Sequence, residues 1–228
     1  MVQFIDLSYR LDDTTPPLRV PLPGGGGRTG RVERGVWLDR ETSKDLLGGK
    51  ASFEISWVSF PTPLGTYIDS PYNRWPEKRD ISELTLEELI LPGIVLDLRG
   101  RAPGEVVEEA EALPSQELCG AAVLCNFGWD SHWGTPTYAR HPSLAPDLAE
   151  RLIEKGARLL GFDTGNADAP GADAHPIHTA ALAQDVPIVE NLRGLDALHG
   201  RRFRFFAVPL KVLGATSMPV CAFAEAED

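Results

Sequence analysis

The sequence contains few cysteines, no long apolar run and fewer basic than acidic residues. The three cysteines, Cys119, Cys125 and Cys221, form no Cys-x-x-Cys pair. This pattern favours reduced, mostly buried thiols in a cytoplasmic protein. No apolar segment reaches the length that a membrane span requires. The N-terminus lacks a basic region followed by a long apolar stretch, so no secretory signal is expected.

The charge balance argues against two classes of partner. The chain has 33 acidic and 22 basic residues and a formal net charge of −11. A surface of this sign repels nucleic acid and anionic membranes. Of the 228 residues, 43% are apolar and 24% are charged, as in ordinary globular proteins. We therefore expect one globular domain over residues 1–228.

Periodic patterns predict strands interleaved with a few helices. Residues 51–60 alternate between two faces, and glycine-bounded apolar runs elsewhere are typical of buried strands. Thr85 and Glu88 have the spacing of a capping box and predict a short helix that ends before Pro92. A longer helix is predicted to begin after Ser143 as its N-cap. This mixture indicates a single α/β domain.

One segment is too rich in glycine and proline for a regular element. Residues 14–30 contain four successive glycines and several prolines, which exclude a helix and a regular sheet. The segment lacks the Gly-Lys-Ser/Thr ending of a phosphate-binding loop. It is therefore predicted to be a mobile surface loop that serves as a flap.

The segment LGTYIDSPYN at residues 64–73 follows a predicted strand and contains a single acid. Alternation places Tyr67 and Asp69 on the same side of the chain, with Asn73 beyond the turn at Pro71. From the residues alone, Asp69 could ligate a cation, act as a base or cap the turn.

A second candidate region lies between two predicted strands at residues 161–192. Histidines and several acids in one connecting segment favour the wall of a pocket. The acids and imidazoles of this region are Asp163, Asp168, Asp173, His175, His178 and Glu190. A structural role is favoured for the remaining histidines, His132, His141 and His199.

Six motifs follow one another along nearly the whole chain: DLS at 6–8, GTYIDSP at 65–71, GWDSHWGTPTYARHPSL at 128–144, GFDTGNAD at 161–168, HPIHTAALAQDVPIVENL at 175–192 and FFAVPLKV at 205–212. The residues of these motifs and their order along the chain resemble those of the cyclase family, which includes bacterial kynurenine formamidases and isatin hydrolases. The resemblance implies a single-domain swivelling β/β/α fold, and a homodimer or homotetramer. It also implies bound zinc or manganese and hydrolysis of amide-like bonds in small aromatic or cyclic compounds.

The sequence departs from the family at the residues that bind metal. The family signature is His-x-Gly-Thr-His-x-Asp-x-Pro-x-His, and its three histidines fall here at Pro63, Tyr67 and Asn73. None of these side chains is a usual ligand for zinc or manganese, and asparagine is no base at neutral pH. Three other residues match the family site, namely Asp69, His178 and Glu190.

These substitutions lead to the hypothesis of a metal-independent enzyme that uses no cofactor. It would cyclise, dehydrate, isomerise or hydrolyse a small specialised metabolite by acid–base chemistry. Glu190 would orient His178, Asp69 would transfer protons, and tyrosine hydroxyls would stabilise a developing oxyanion. The candidate catalytic residues are Asp69, His178, Glu190 and Tyr67. The candidate substrate-binding residues are Tyr9, Asn73, Trp75 and Trp129.

Two alternatives remain open at this point. The first is a zinc- or manganese-dependent amide or lactone hydrolase with a rebuilt metal site. Such a site would combine Asp69, His178 and Glu190 with either Asp163 or Asp168. The second alternative is a non-catalytic protein that binds a ligand or stabilises a partner, since it has lost three chemically critical histidines while keeping the scaffold.

Overall fold

A nine-stranded sheet runs through the computed structural model, which describes residues 1–108, 112–115, 117–118 and 120–227. Three two-stranded sheets accompany it. Within the described part of the chain, no helix is long and apolar enough to cross a membrane. Cys119 lies outside the described residues, whereas Cys125 is buried and Cys221 is exposed.

The strands are β1 (Val2–Asp6), β2 (Leu18–Pro21), β3 (Gly27–Gly30), β4 (Glu33–Leu38), β5 (Ile55–Ser59), β6 (Tyr67–Asp69), β7 (Ile90–Asp97), β8 (Val106–Val107), β9 (Ala122–Asn126), β10 (Ser143–Leu144), β11 (Leu159–Phe162), β12 (Ile188–Glu190), β13 (Phe203–Phe206), β14 (Ser217–Pro219) and β15 (Phe223–Glu227). The helices are α1 (Arg40–Leu46), α2 (Leu86–Leu89), α3 (Pro146–Glu154) and α4 (Pro176–Ala183). Short 3₁₀ segments lie at Pro71–Asn73, Ile81–Glu83, Trp129–His132, Pro136–Arg140 and Leu195–Leu198.

The large sheet has the strand order β1-β15-β13-β7-β9-β11-β12-β6-β14. Strands β7, β9, β11 and β12 pair in parallel, and their other neighbours in the sheet pair antiparallel. Parallel neighbours need a crossover connection, and α3 and α4 lie in the crossovers from β9 to β11 and from β11 to β12. The predicted α/β class is confirmed.

Each face of the large sheet carries its own hydrophobic core. On one face, α3 and α4 pack against the parallel strands and bury Leu148 and Ala181 with Phe162. The other core includes Ile68 of β6 and Val189 of β12. Because successive side chains of a strand alternate between faces, the neighbours of Ile68 and Val189 point toward the helices. That face carries the polar side chains of the candidate site.

Two helix-start predictions have different outcomes. Helix α2 begins after Thr85, and both reciprocal bonds of the capping box with Glu88 form, as predicted. The prediction that Ser143 caps the longer helix is wrong. The N-cap of α3 is Ala145, because Ser143 pairs with Val106 in the small parallel sheet of β8 and β10.

The glycine-rich segment forms a hairpin, so the prediction of an irregular loop is wrong. Strands β2 and β3 pair from Leu18 with Gly30 to Pro21 with Gly27. Residues 24–26 have φ values between 81° and 96°, and they make the turn because glycine adopts this conformation without steric cost. Pro21 is tolerated because a two-stranded sheet consists only of edge strands, where a missing N–H does not interrupt a ladder.

Candidate active site

The candidate site begins with two carboxylates on paired strands. Antiparallel pairing of β6 with β12 places Tyr67 opposite Glu190 and Asp69 opposite Ile188. Tyr67, Asp69 and Glu190 therefore point to the same face of the sheet. Asp69 is 2% exposed and Glu190 is fully buried. Buried carboxylates carry a desolvation cost, so they require partners in the structure.

Helix α4 supplies an imidazole to these carboxylates. His178 is buried, and its Nε2 lies 3.6 Å from Asp69 Oδ2 and 3.3 Å from Glu190 Oε1. The predicted group of Asp69, His178, Glu190 and Tyr67 is thus brought together in one place.

Asp168 fixes the orientation of that imidazole. Its Oδ2 lies 2.6 Å from His178 Nδ1, and its Oδ1 accepts the backbone N–H of Ile177 at 2.6 Å. Since a carboxylate only accepts, Nδ1 of His178 carries the hydrogen and Nε2 is left to face the other two acids. A carboxylate bound to the outer nitrogen of a histidine in this way is the usual support of a metal-ligating imidazole.

Tyr67 and Asn73 each bind one carboxylate. The Tyr67 hydroxyl donates to Glu190 Oε2, and Asn73 Nδ2 donates to Asp69 Oδ1 at 2.8 Å. The other oxygens, Asp69 Oδ2 and Glu190 Oε1, are the ones closest to His178. Two of the three substituted signature residues, Tyr67 and Asn73, thus hold a retained acid in place.

Burial and charge perturb the ionisation of the cluster. Burial, with the nearby charge of Glu190, raises the pKa of Asp69 to about 6. Burial opposes the charged form of His178, but Glu190 and the hydrogen bonds to Asp168 and Asp69 hold its pKa well above the ordinary value. Burial and Glu190 also raise the pKa of Tyr67 well above 10, so its hydroxyl remains a donor. Three carboxylates around one imidazole leave an excess of negative charge.

The donor atoms of Asp69, His178 and Glu190 lie within 4.8 Å of one another, and all three residues are buried. Two carboxylate oxygens and one imidazole nitrogen suit divalent zinc or manganese. A second group, Asp168, His175 and His178, meets the same distance limit. In that group, however, Asp168 is already bound to His178 Nδ1, and 41% of the His175 side chain is exposed. The first group therefore fits a cation better.

A cavity of about 580 Å³ adjoins this cluster. Tyr67, which binds Glu190, forms part of its wall, together with the aromatic side chains of Trp133 and Tyr138. Strand β2 of the hairpin contributes Leu18 and Arg19. The cavity has the size and the mixed apolar and polar lining of small-molecule sites.

The other predicted substrate-binding residues lie elsewhere around the cluster. Tyr9 stacks on Trp133 with ring centroids 4.0 Å apart and lines a second cavity of about 820 Å³. Trp129 is buried, and its indole donates to the carbonyl of Tyr138 at 3.0 Å. Trp75 packs against the core on the α3–α4 face. Asn73 alone of the four contacts the catalytic candidates directly, through Asp69.

Two residues have contacts that the sequence did not indicate. From the sequence, Asp168 is a candidate fourth metal ligand, but it binds His178 Nδ1 instead; irregular chain separates the two residues, so no helix or strand period predicts this contact. His141 is 4% exposed and lines the 580 Å³ cavity. Its Arg-His-Pro context contains no acid or second histidine that would have indicated a site.

Proteins that are named as hydrolases are similar to this chain in sequence and fold. A kynurenine formamidase of Delftia acidovorans (strain DSM 14801 / SPH-1) is 23% identical, over 95% of this chain and 97% of its own length. An isatin hydrolase bound to the product analogue thioisatinate superposes with a TM-score of 0.83 at 22% identity, covering 100% of this chain and 93% of that one. A potential metal-dependent hydrolase with cyclase activity superposes with a TM-score of 0.76 at 20% identity, covering both chains fully.

The expectation of an enzyme without a cofactor is contradicted by these findings. Among the described residues, two groups of side chains could hold a metal ion, and one of the similar structures is described as a potential metal-dependent hydrolase. The absence of histidine at positions 63, 67 and 73 does not by itself rule out a metal site. The acids and the histidine that remain converge without them, because β6, β12 and α4 bring them together.

In contrast, the fold expected from the sequence motifs is confirmed by these superpositions, which extend over the full chain. The family model for cyclases ("Putative cyclase") matches residues 5–169, well over half of the sequence. The chain belongs to the cyclase family.

Proposed function

We propose that this protein is a divalent-metal-dependent hydrolase that cleaves an amide bond in a small aromatic compound. One observation carries the proposal: Asp69, His178 and Glu190 converge beside a cavity large enough for such a substrate. The names of the similar formamidase and isatin hydrolase agree with cleavage of a C–N bond in a small molecule.

The side chains around the proposed metal are arranged to hold it. Asp69 and Glu190 would each contribute one oxygen, and His178 would contribute Nε2. A bound divalent cation polarises a carbonyl oxygen and lowers the pKa of a coordinated water. Asp168 binds the hydrogen on Nδ1 of His178, which leaves Nε2 as the nitrogen that would bind the cation in place of a proton. The Tyr67 hydroxyl and the Asn73 amide fix the two carboxylates.

The cavity supports an aromatic substrate. Trp133 and Tyr138 meet edge to face with ring centroids 5.1 Å apart and form a rigid aromatic wall. The Tyr138 hydroxyl donates to Asn191, whose amide in turn donates to the carbonyl of Gly65. These bonds engage the polar groups of Tyr138 and Asn191, so the wall presents aromatic faces, which favours a flat apolar ring over a polar chain.

The test combines metal content with turnover. Purified protein is loaded with manganese or zinc, analysed for bound metal, and assayed on an N-formyl aromatic amine and on isatin. We expect about one metal ion per chain and hydrolysis of at least one of these amides. Asp69→Asn and Glu190→Gln should lose both metal and turnover, since each removes a charged ligand. Glu150→Gln, on the exposed face of α3, is the matched control.

Other outcomes would contradict the proposal. Full turnover in both ligand variants would show that Asp69 and Glu190 have no catalytic role. Ligand binding without turnover in the metal-loaded protein would favour the non-catalytic alternative.

A further inference from the structure

His141 lies in the wall of the candidate active-site cavity. It follows the 3₁₀ segment Pro136–Arg140 and precedes β10. The residue is 4% exposed, yet it lines the same 580 Å³ space as Tyr67 and Trp133. Among the described residues that line this cavity, His141 is the sole imidazole.

One hydrogen bond of the His141 ring defines its tautomer. Its Nδ1 lies 3.0 Å from the carbonyl oxygen of Pro142. A carbonyl can only accept, so Nδ1 carries the hydrogen and Nε2 carries a lone pair. In the part of the chain that the structure describes, the His141 ring hydrogen-bonds through Nδ1 and not through Nε2. A buried imidazole is thus held with an unused acceptor at the cavity.

Burial keeps the His141 ring neutral. Burial lowers its pKa below the ordinary value of 6.5, and the hydrogen bond to Pro142 and the carboxylates of Glu190 and Asp168 oppose this only in part. The phenols of Tyr67 and Tyr138, which line the same cavity, have pKa values raised by burial and remain uncharged at neutral pH. A neutral imidazole can accept a proton, which is the state that a general base requires.

Among the described residues beside the cavity, His178 and Asn73 offer no such acceptor. His178 uses Nδ1 for Asp168, and its Nε2 faces Asp69 and Glu190. Asn73, at the position of the last signature histidine, donates its amide to Asp69 and is no base.

We propose that His141 is the general base of the hydrolysis, an assignment that rests on the proposed amide-hydrolase function. Nε2 takes a proton from the attacking water as the water oxygen bonds to the amide carbonyl carbon. The imidazolium then returns this proton to the departing nitrogen as the C–N bond breaks. The products are a carboxylic acid and an amine, and His141 is neutral again at the end of the cycle.

The test uses His141→Asn in the metal-loaded protein. Asparagine keeps an N–H near the position of Nδ1 and so retains the donor to Pro142, but it has no base at the position of Nε2. We expect kcat to fall by about 100-fold or more, the usual loss on removing a general base. Metal content should not change, and the acidic limb of the wild-type pH profile should disappear. His199→Asn, at a partly exposed histidine outside the cavity, should retain wild-type turnover.

Each outcome decides the assignment. Wild-type kcat in His141→Asn would overturn the role of His141 while leaving the proposed function intact. Loss of bound metal together with turnover would make His141 a structural residue and also overturn it. If His141→Asn does not fold, ¹⁵N NMR of the wild-type protein decides: a His141 ring protonated at Nε2 at pH 7 overturns the assignment, and a neutral Nδ1–H ring supports it. A metal-loaded wild-type protein that hydrolyses neither amide overturns the proposed function itself, and the role of His141 with it.

Discussion

Replacing Asp168 by asparagine should weaken metal binding although Asp168 is not one of the proposed ligands. The carboxylate accepts two hydrogens at 2.6 Å, from Ile177 N and from His178 Nδ1. An asparagine of the same size has only one oxygen. If that oxygen accepts the Ile177 N–H, the amide NH₂ faces Nδ1 and forces the hydrogen of His178 onto Nε2. Nε2 then points a hydrogen at Asp69 and Glu190 and can no longer ligate a cation.

The size of this effect follows from the contacts that are lost. Mutating the outer partner of a metal-bound histidine typically costs about 10- to 100-fold in affinity, which corresponds to about 1.4–2.8 kcal/mol. The metal-free protein should also lose stability, because a hydrogen bond to a charged group contributes about 1.5–3 kcal/mol. The Asp168 carboxylate is fully buried, so water cannot replace the lost acceptor.

Two measurements separate these effects. Metal affinity is measured by competition with a chelator, and the free energy of unfolding is measured by urea titration of the metal-free protein. Asp173→Asn is the control, because Asp173 lies exposed in the same segment and should leave both values unchanged. Wild-type metal affinity in a destabilised Asp168→Asn variant would refute the reasoning. Asp168 would then serve only to cap the start of α4.

Two further predictions concern stability. Burial raises the pKa of Asp163 to about 7, although Phe127 and Trp129 donate their backbone N–H groups to it. The unfolded chain releases the Asp163 proton near pH 4, whereas the folded chain holds it up to about pH 7. Between these two pH values, the free energy of unfolding therefore falls by up to about 1.4 kcal/mol per pH unit as the pH rises. In urea titrations between pH 5 and 7, the free energy of unfolding should fall less steeply with pH in Asp163→Asn than in the wild-type protein. Equal slopes in the two proteins would contradict this. Gly93→Ala should lower the free energy of unfolding by about 1–3 kcal/mol, because the new Cβ would lie 1.9 Å from the Phe203 ring. An unchanged melting temperature would contradict this prediction.

Local signals in the sequence were sufficient for much of the architecture. The spacing of Thr85 and Glu88 predicts the start of α2 because both partners of a capping box lie within one turn. The glycine-rich hairpin was missed because its pairing depends on strands β2 and β3 meeting, which composition alone does not indicate. Likewise, Ser143 has a side chain that is common at N-caps, but it pairs with Val106 of a distant strand instead of capping α3. The single domain, the homodimer or homotetramer and the cytoplasmic location stay predictions.

The candidate site shows the same division between local and distant information. Motif matching identified Asp69, His178 and Glu190, and the structure brings them together. The motif also drew attention to the missing histidines and led to the wrong expectation of a protein without a cofactor. Asp168 and His141 depend on the meeting of segments that no periodicity connects, so only the folded chain shows their contacts.

The pairing of β6 with β12 has a consequence for how the site assembles during folding. Asp69 and Glu190 share a face only in the native register, and a shift by one residue would turn either one toward the opposite core. His178 joins them only once α4 has packed against that sheet. A partly folded chain therefore cannot hold the three ligands together. Metal would bind the native state alone, and its whole binding free energy would add to the stability of the fold.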